Sequence, residues 1–138
     1  MTGLWVLLGV LVLSTAFGLV HRSRQGRVRD VTADDTLRAE LAALGQDPGD
    51  RATLLQFSSA FCAPCRATRR TLSEVSGMVD GVVHVEVDAE QHLDLVRRLG
   101  ILKTPTTLVL DADVREVKRA SGQPRKADVL AALGQALP

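Results

Sequence analysis

The sequence predicts an α/β domain, a central β-sheet flanked by helices, preceded by one N-terminal hydrophobic helix. Three observations carry that expectation. Strand-like and helix-like runs alternate from residue 35 to the end. The only two cysteines stand as Cys62-Ala63-Pro64-Cys65, with an apolar run before them and a helical run after. The stretch Gly3–Val20 contains no charged residue. With 138 residues there is room for one domain and a small appendage. The predicted division is an anchor or signal peptide over 1–21, a basic linker over 22–30 and a globular domain over 31–138.

The N-terminal run is about 18 residues long, roughly 27 Å as a helix, at the short end of what spans a bilayer. A transmembrane helix is the first reading and a cleavable signal peptide the second, with Ser14-x-Ala16 as a small-residue cleavage site. No Lys or Arg precedes the run, while Arg22, Arg24, Arg27 and Arg29 follow it. Those arginines place the C-terminal side in the cytoplasm by the positive-inside rule. The expected location is therefore a single-pass membrane protein with its domain facing the cytoplasm, export being the alternative. Trp5 and His21 would then stand near the two interfaces, or simply flank the run.

After a short first strand over Val28–Val31, Thr32-Ala33-Asp34-Asp35 reads as a helix start, with a cap and early acids. Leu37, Leu41 and Leu44 repeat at helical spacing, so Asp35 to Leu44 is an amphipathic helix closed by Gly45. Asp47-Pro48-Gly49-Asp50 turns the chain. Thr53 to Ser58 is a buried strand, and Arg66 to Met78 a helix. Val82 to Asp88 is rich in β-branched residues and suits a strand inside a sheet. Glu90 to Leu99 is helical, with Leu93, Val96 and Leu99 on one face and Gly100 at its end. Thr106 to Leu110 and Val114 to Ala120 form a hairpin about Asp111-Ala112-Asp113. Lys126 to Leu137 is a last helix with Val129, Leu130 and Leu133 inward. Right-handed crossovers make strands joined by helices parallel neighbours.

A Cys-x-x-Cys at a strand-to-helix junction has a physical consequence. The first sulfur meets the free N–H groups and positive dipole end of the helix, which stabilise a thiolate. The second falls in the first turn, within reach of the first. Such a dithiol can attack a substrate disulfide through Cys62 and resolve the mixed disulfide through Cys65. Other readings of the pair are weaker on chemical grounds. Zinc needs about four ligands, and only His21, His84 and His92 are available, scattered along the chain. A structural disulfide closing so small a loop stabilises little. Two idle buried cysteines are the remaining alternative.

In order along the chain, these features resemble the thioredoxin family: Cys62-Ala63-Pro64-Cys65 after a strand, Val87-Asp88 ending the next, Leu99-Gly100-Ile101, Thr104-Pro105-Thr106 opening the hairpin, and Gly122 before the last helix. The resemblance covers about Val28 to Leu137 and implies a thioredoxin fold with a mixed sheet over 31–138. The nearest relatives it implies are membrane-tethered, thioredoxin-like proteins of actinobacteria. It further implies a protein-disulfide reductase with Cys62 as nucleophile and Cys65 as resolving thiol, acting on protein disulfides. The electron source would be a dithiol donor such as a thioredoxin reductase, with no bound cofactor and no metal. Phe61, Ala63, Pro64, Thr104, Pro105 and Gly122 would line the substrate groove. Pro105 would follow a cis peptide bond, which only X-Pro adopts cheaply, so that the backbone at Thr104 faces the sulfurs and pairs with an extended peptide; the alternative is a trans proline at a strand entry.

Departures from the family pattern bear on proton transfer. Gln56 stands where the family has a buried Asp, and a glutamine cannot accept a proton at neutral pH. His84 replaces the Lys that accompanies that Asp. Losing both members of a buried charged pair is coherent, because either charge alone is costly. Gln56 and His84 are therefore the candidate proton relay, against the alternative that His84 is a satisfied structural histidine. Phe61 replaces the usual Trp, or else is a packed core residue; Ala63 replaces a Gly, and Arg70 a helix-kinking Pro.

A formal net charge of +1 provides no field for nucleic acid. Three Phe, one Trp and no Tyr provide no stacking platform for bases either. Arg66, Arg69, Arg70, Arg97 and Arg98 read as solvated helix faces rather than as an acidic-partner site. Two other functions compete with the cytoplasmic reductase. One is extracytoplasmic exchange on exported cysteines, such as those awaiting haem attachment or other envelope maturation. The other is a redox-silent docking module that uses the groove without turnover.

Overall fold

Strand pairing explains why the middle of the chain is so apolar. The computed structural model describes residues 2–25 and 35–138, with the side chains of 2, 4 and 17–25 outside that description. By backbone contacts the chain forms two units, Met1–Val31 and Thr32–Pro138. In the second unit β1 (Ala52–Ser58), β2 (Val82–Asp88), β3 (Thr106–Asp111) and β4 (Glu116–Ser121) form one sheet in the order β2-β1-β3-β4. β1 runs parallel to β2 and antiparallel to β3, and β3 runs antiparallel to β4. The sheet is mixed. β1 and β3 occupy its centre, and every residue of β1 is buried, as strands covered on both faces require. Among the described residues β2 and β4 are the two edges, so Val82–Asp88, expected inside the sheet, borders it; on β4, Glu116, Lys118 and Arg119 are exposed, charges that discourage pairing with a further strand.

Helices cover both faces. α2 (Asp35–Ala43) and α4 (Leu93–Leu99) cover one, where Leu37, Leu41 and Leu95 meet Leu55, Phe57, Val85, Val87, Leu108 and Leu110. α3 (Ala63–Met78) and α5 (Lys126–Ala136) cover the other, where Leu72, Val75, Val129 and Leu133 meet Leu54, Val82 and Val109. Each fully buried aliphatic side chain contributes about 1.5–3 kcal/mol of transfer free energy.

Several boundaries move from their expected places, each for a local reason. α4 begins at Leu93 rather than Glu90, because Asp88 turns the chain: its carboxylate accepts from Glu90 N at 2.8 Å and its carbonyl from Gln91 N at 3.3 Å. Val96 and Leu99 pack part-buried on the core as expected, but Leu95 is inward where Leu93 was expected. Leu95 is 6% exposed while Leu93, in the opening turn, is 52% exposed. Gly100 ends this helix in the left-handed region at φ 64°, which a glycine adopts without penalty. β4 starts at Glu116 rather than Val114, since the Asp111 carboxylate gathers Asp113 N and Arg115 N into the turn and Val114 takes φ 63°. On α5, Leu130 faces solvent; Val129, Leu133 and Ala136 form the buried stripe.

In the first unit, α1 runs Thr2–Gln25, so the helix extends beyond 21 into the stretch read as a basic linker. Its described side chains from Trp5 to Leu13 are exposed. Among the described residues no helix is long and apolar enough to cross a membrane. The expected span runs on to Val20, past the last described side chain, Ala16. The rest of the linker, the strand at Val28–Val31 and the cap at Thr32 lie outside the described residues, as do the side chains of His21, Arg22, Arg24, Arg27 and Arg29.

Candidate redox site

The site begins where β1 ends. After Ser58 the chain crosses Ser59, Ala60 and Phe61 and enters α3, with Cys62 as its cap. Cys62 and Cys65 are joined by a disulfide, S–S 2.08 Å with the Cα atoms 5.2 Å apart. Cys65 is buried, whereas Cys62 is part-exposed. The Cys65 N–H donates to Cys62 Sγ at 3.2 Å, so an orphan donor of the first helical turn already points at the outer sulfur. Pro64 fits that turn because its missing N–H is one the helix does not use.

Hydrogen bonds tie three loops together. The Thr104–Pro105 peptide is cis, and Pro105 is buried. Thr104 Oγ1 and Ser59 Oγ share a hydrogen bond at 2.8 Å, tying the loop ahead of β3 to the one ahead of α3. Gly122 N donates to Pro105 O at 2.7 Å. Gly122 has φ 90°, where any side chain would be strained. Ala63 and Pro64 are exposed beside Cys62. Phe61 is no core residue: it is fully exposed and takes φ 57°. A bulky residue in that region costs about 1–3 kcal/mol. Leu102, two residues before Thr104, is also fully exposed and was not anticipated from sequence.

Beneath the disulfide lies a polar network. Gln56, wholly buried on β1, donates from Nε2 to Cys65 O at 3.0 Å and to Ser58 Oγ at 2.9 Å. A carbonyl can only accept, so the amide orientation is determined, and Oε1 faces His84 Nε2 at 3.0 Å. His84 must therefore carry its proton on Nε2, leaving Nδ1 to face Ser73 Oγ at 3.1 Å. Ser58 Oγ in turn donates to Glu86 Oε1 at 2.7 Å. Arg69 closes on Glu86 with two bonds of 2.5 and 2.8 Å.

The electrostatics follow from these contacts. Burial pushes the His84 imidazole below its ordinary value of 6.5, with Glu86 opposing that shift and Arg69 adding to it. Burial also pushes the Glu86 carboxyl up, but the bonds from Arg69 and Ser58 and the nearby positive charges outweigh it, and the net direction is down. Gln56 and His84 thus meet, and the Gln56 amide reaches Cys65 at its carbonyl rather than its sulfur. The relay reading missed Ser58, Glu86, Arg69 and Ser73. Spacing held the signal: 56 and 58, and 84 and 86, share a strand face, while 65, 69 and 73 share a helix face. Among the described residues no cluster of His, Cys, Asp and Glu could hold a metal ion.

The thioredoxin family model matches residues 31–135. The chain belongs to the thioredoxin family. Thioredoxin of Alicyclobacillus acidocaldarius is 30% identical over 90 residues, covering 64% of this chain and 85% of that protein. Human Thioredoxin domain-containing protein 2 is 30% identical over 80 residues, 58% of this chain but only 14% of its own length. Among solved structures, Schistosoma mansoni thioredoxin pre-protein superposes with a TM-score of 0.59 at 19% identity, over 75% of this chain and 92% of that one. Spinach chloroplast thioredoxin f superposes with a TM-score of 0.58 at 23% identity, over 77% and 89%. The thioredoxin fold is common to these structures and this chain.

Proposed function

We propose that this thioredoxin-family protein is a thiol-disulfide oxidoreductase that reduces protein disulfides. The observation that carries the reading is the Cys62–Cys65 pair itself: a part-exposed Cys62 with a helix N–H aimed at its sulfur, bonded to a buried partner three residues on. In the reduced protein Cys62 thiolate attacks one sulfur of a substrate disulfide. The substrate S–S bond breaks, a mixed disulfide forms on Cys62, and the released substrate thiolate takes a proton. Cys65, as thiolate, then attacks Cys62 Sγ and expels the second substrate thiolate. Substrate gains two electrons and the protein dithiol loses two, to be restored by a dithiol donor such as a thioredoxin reductase. Phe61, Ala63, Pro64, Thr104, Pro105 and Gly122 form the substrate groove in this reading, while His84, through the Nδ1 that carries no proton, is the candidate base for the proton that Cys65 loses and Gln56 orients its ring.

The test is turnover and capture. The purified protein should reduce insulin disulfides with dithiothreitol as donor, Cys62→Ser should abolish this, and Cys65→Ser should retain substrates on Cys62. Absence of turnover, together with no captured mixed disulfide, leaves a docking module instead.

The N-terminal unit is proposed as a membrane tether with the domain on the cytoplasmic side. Its support is the uncharged run Gly3–Val20 followed by arginines and the exposure of Trp5 to Leu13 on α1. On this proposal the chain's nearest relatives are expected among membrane-tethered thioredoxin-like proteins of actinobacteria. A C-terminal reporter fusion that is active only outside the cell overturns the cytoplasmic assignment in favour of exchange on exported cysteines.

A further inference from the structure

We infer that Ser58, Glu86 and Arg69 are positioning residues for the Cys62–Cys65 pair, a tie that fixes the Gln56 amide on the Cys65 carbonyl and thereby the Cys65 N–H on the Cys62 sulfur. This rests on the redox reading above and adds residues to it. The chain of bonds is directional. Both Gln56 Nε2 protons are committed, one to Cys65 O and one to Ser58 Oγ. Ser58 Oγ accepts this bond with its own proton held by Glu86 Oε1. Glu86 is held in place by the two bonds from Arg69.

The tie is closed in space. It leaves α3 at Arg69, crosses β2 at Glu86 and β1 at Ser58 and Gln56, and returns to α3 at Cys65, one turn before it began. Gln56 and Glu86 are direct partners in the parallel pairing of β1 and β2, which places the two links side by side. The Cys65 carbonyl and the Cys65 N–H flank one Cα, so restraining the first restrains the second. That N–H is the donor seen on the nucleophilic sulfur. The charged and titratable groups bonded to or paired with this circuit are Arg69 and Glu86 themselves and His84, on the other end of the Gln56 amide.

The experiment reads the Cys62 thiol in the full chain, reduced, through the pH dependence of alkylation, together with the reduction potential of the pair and the melting temperature. Ser58→Ala and Glu86→Leu break the tie and should raise the thiol pKa by about half to one unit, which slows alkylation below that pKa about three- to tenfold. Glu86→Gln keeps an oxygen that accepts from Ser58 and should stay within about twofold of the unaltered protein. If Glu86→Gln and Glu86→Leu both speed alkylation, Glu86 acts by its charge alone and the positioning role is wrong. If all three lower the melting temperature while thiol pKa and potential stay put, the tie is merely structural and the inference is likewise overturned. Wild-type reactivity by itself judges the redox reading; the ratio of variant to wild type judges the tie.

Discussion

The two faces of the sheet are built differently. Under α2 and α4 the buried set is apolar but for Thr53 and Thr106, which share strand faces with Leu55 and Leu108; it runs from Leu37 and Leu41 through Leu55 and Phe57 to Leu108 and Leu110. Under α3 and α5 the far end is equally apolar, with Leu54, Val75, Val109 and Leu133. Toward the disulfide, that second face becomes polar: Gln56, Thr68 and Thr107 are fully buried, with His84 and Glu86 part-buried beside them. A buried polar group is costly unless bonded. The apolar face holds the fold together, and the polar end holds the cysteines in place.

That contrast is open to direct attack, beginning where the loss is greatest. Leu108→Ala on the apolar face should cost about 2–5 kcal/mol, read from denaturant unfolding, with little change in Cys62 reactivity. Gln56→Ala on the polar face should cost less, about 1–3 kcal/mol, since it orphans His84 Nε2 and leaves Cys65 O without its side-chain donor. It should change the thiol pKa or potential as well. A Leu108→Ala variant that shifts reactivity as much as Gln56→Ala would erase the distinction between the faces.

The pH dependence is smaller and belongs to the polar face alone. His84 has a folded pKa below the unfolded value of 6.5. Above 6.5 both states are neutral and its contribution is intact. As pH falls below 6.5 the unfolded chain takes the proton first, so stability declines by up to about 1.4 kcal/mol per pH unit until the folded pKa is passed. His84→Gln should flatten the stability profile just below pH 6.5, measured by urea unfolding at each pH. A slope unchanged by that substitution would remove His84 from the account. Glu86, with its depressed pKa, contributes its own loss only at lower pH. The smallest effect expected is at Thr107, whose hydroxyl is buried with no hydrogen-bond partner among the described residues. Thr107→Val should therefore be neutral or stabilising, by at most about 1 kcal/mol in thermal unfolding.

Local chemistry was sufficient to read most of the fold. The apolar run Thr53–Ser58, the β-branched Val82–Asp88 and the Asp111-Ala112-Asp113 turn each declared their element, because periodicity and turn residues act over a few positions. The Cys62-Ala63-Pro64-Cys65 motif declared the site for the same reason. Where two local signals competed, the sequence reading slipped. Of the expected stripe Leu93, Val96 and Leu99, the last two pack on the core, while Leu93, in the turn that follows Asp88, is exposed and Leu95 is buried instead. Leu130 was another such slip, resolved by the packing of α5 on β3.

From the residues alone came the order of elements and the redox pair at a helix start, since each depends on neighbours in the chain; the expectation for Pro105 came from the family resemblance. Only the folded chain decided what surrounds that pair. Ser58 to Glu86 and Gln56 to Cys65 are hydrogen bonds across 28 and 9 residues. The side chains meet there because parallel pairing sets β1 against β2 and α3 lies over both, a register that no stretch of a few residues can specify.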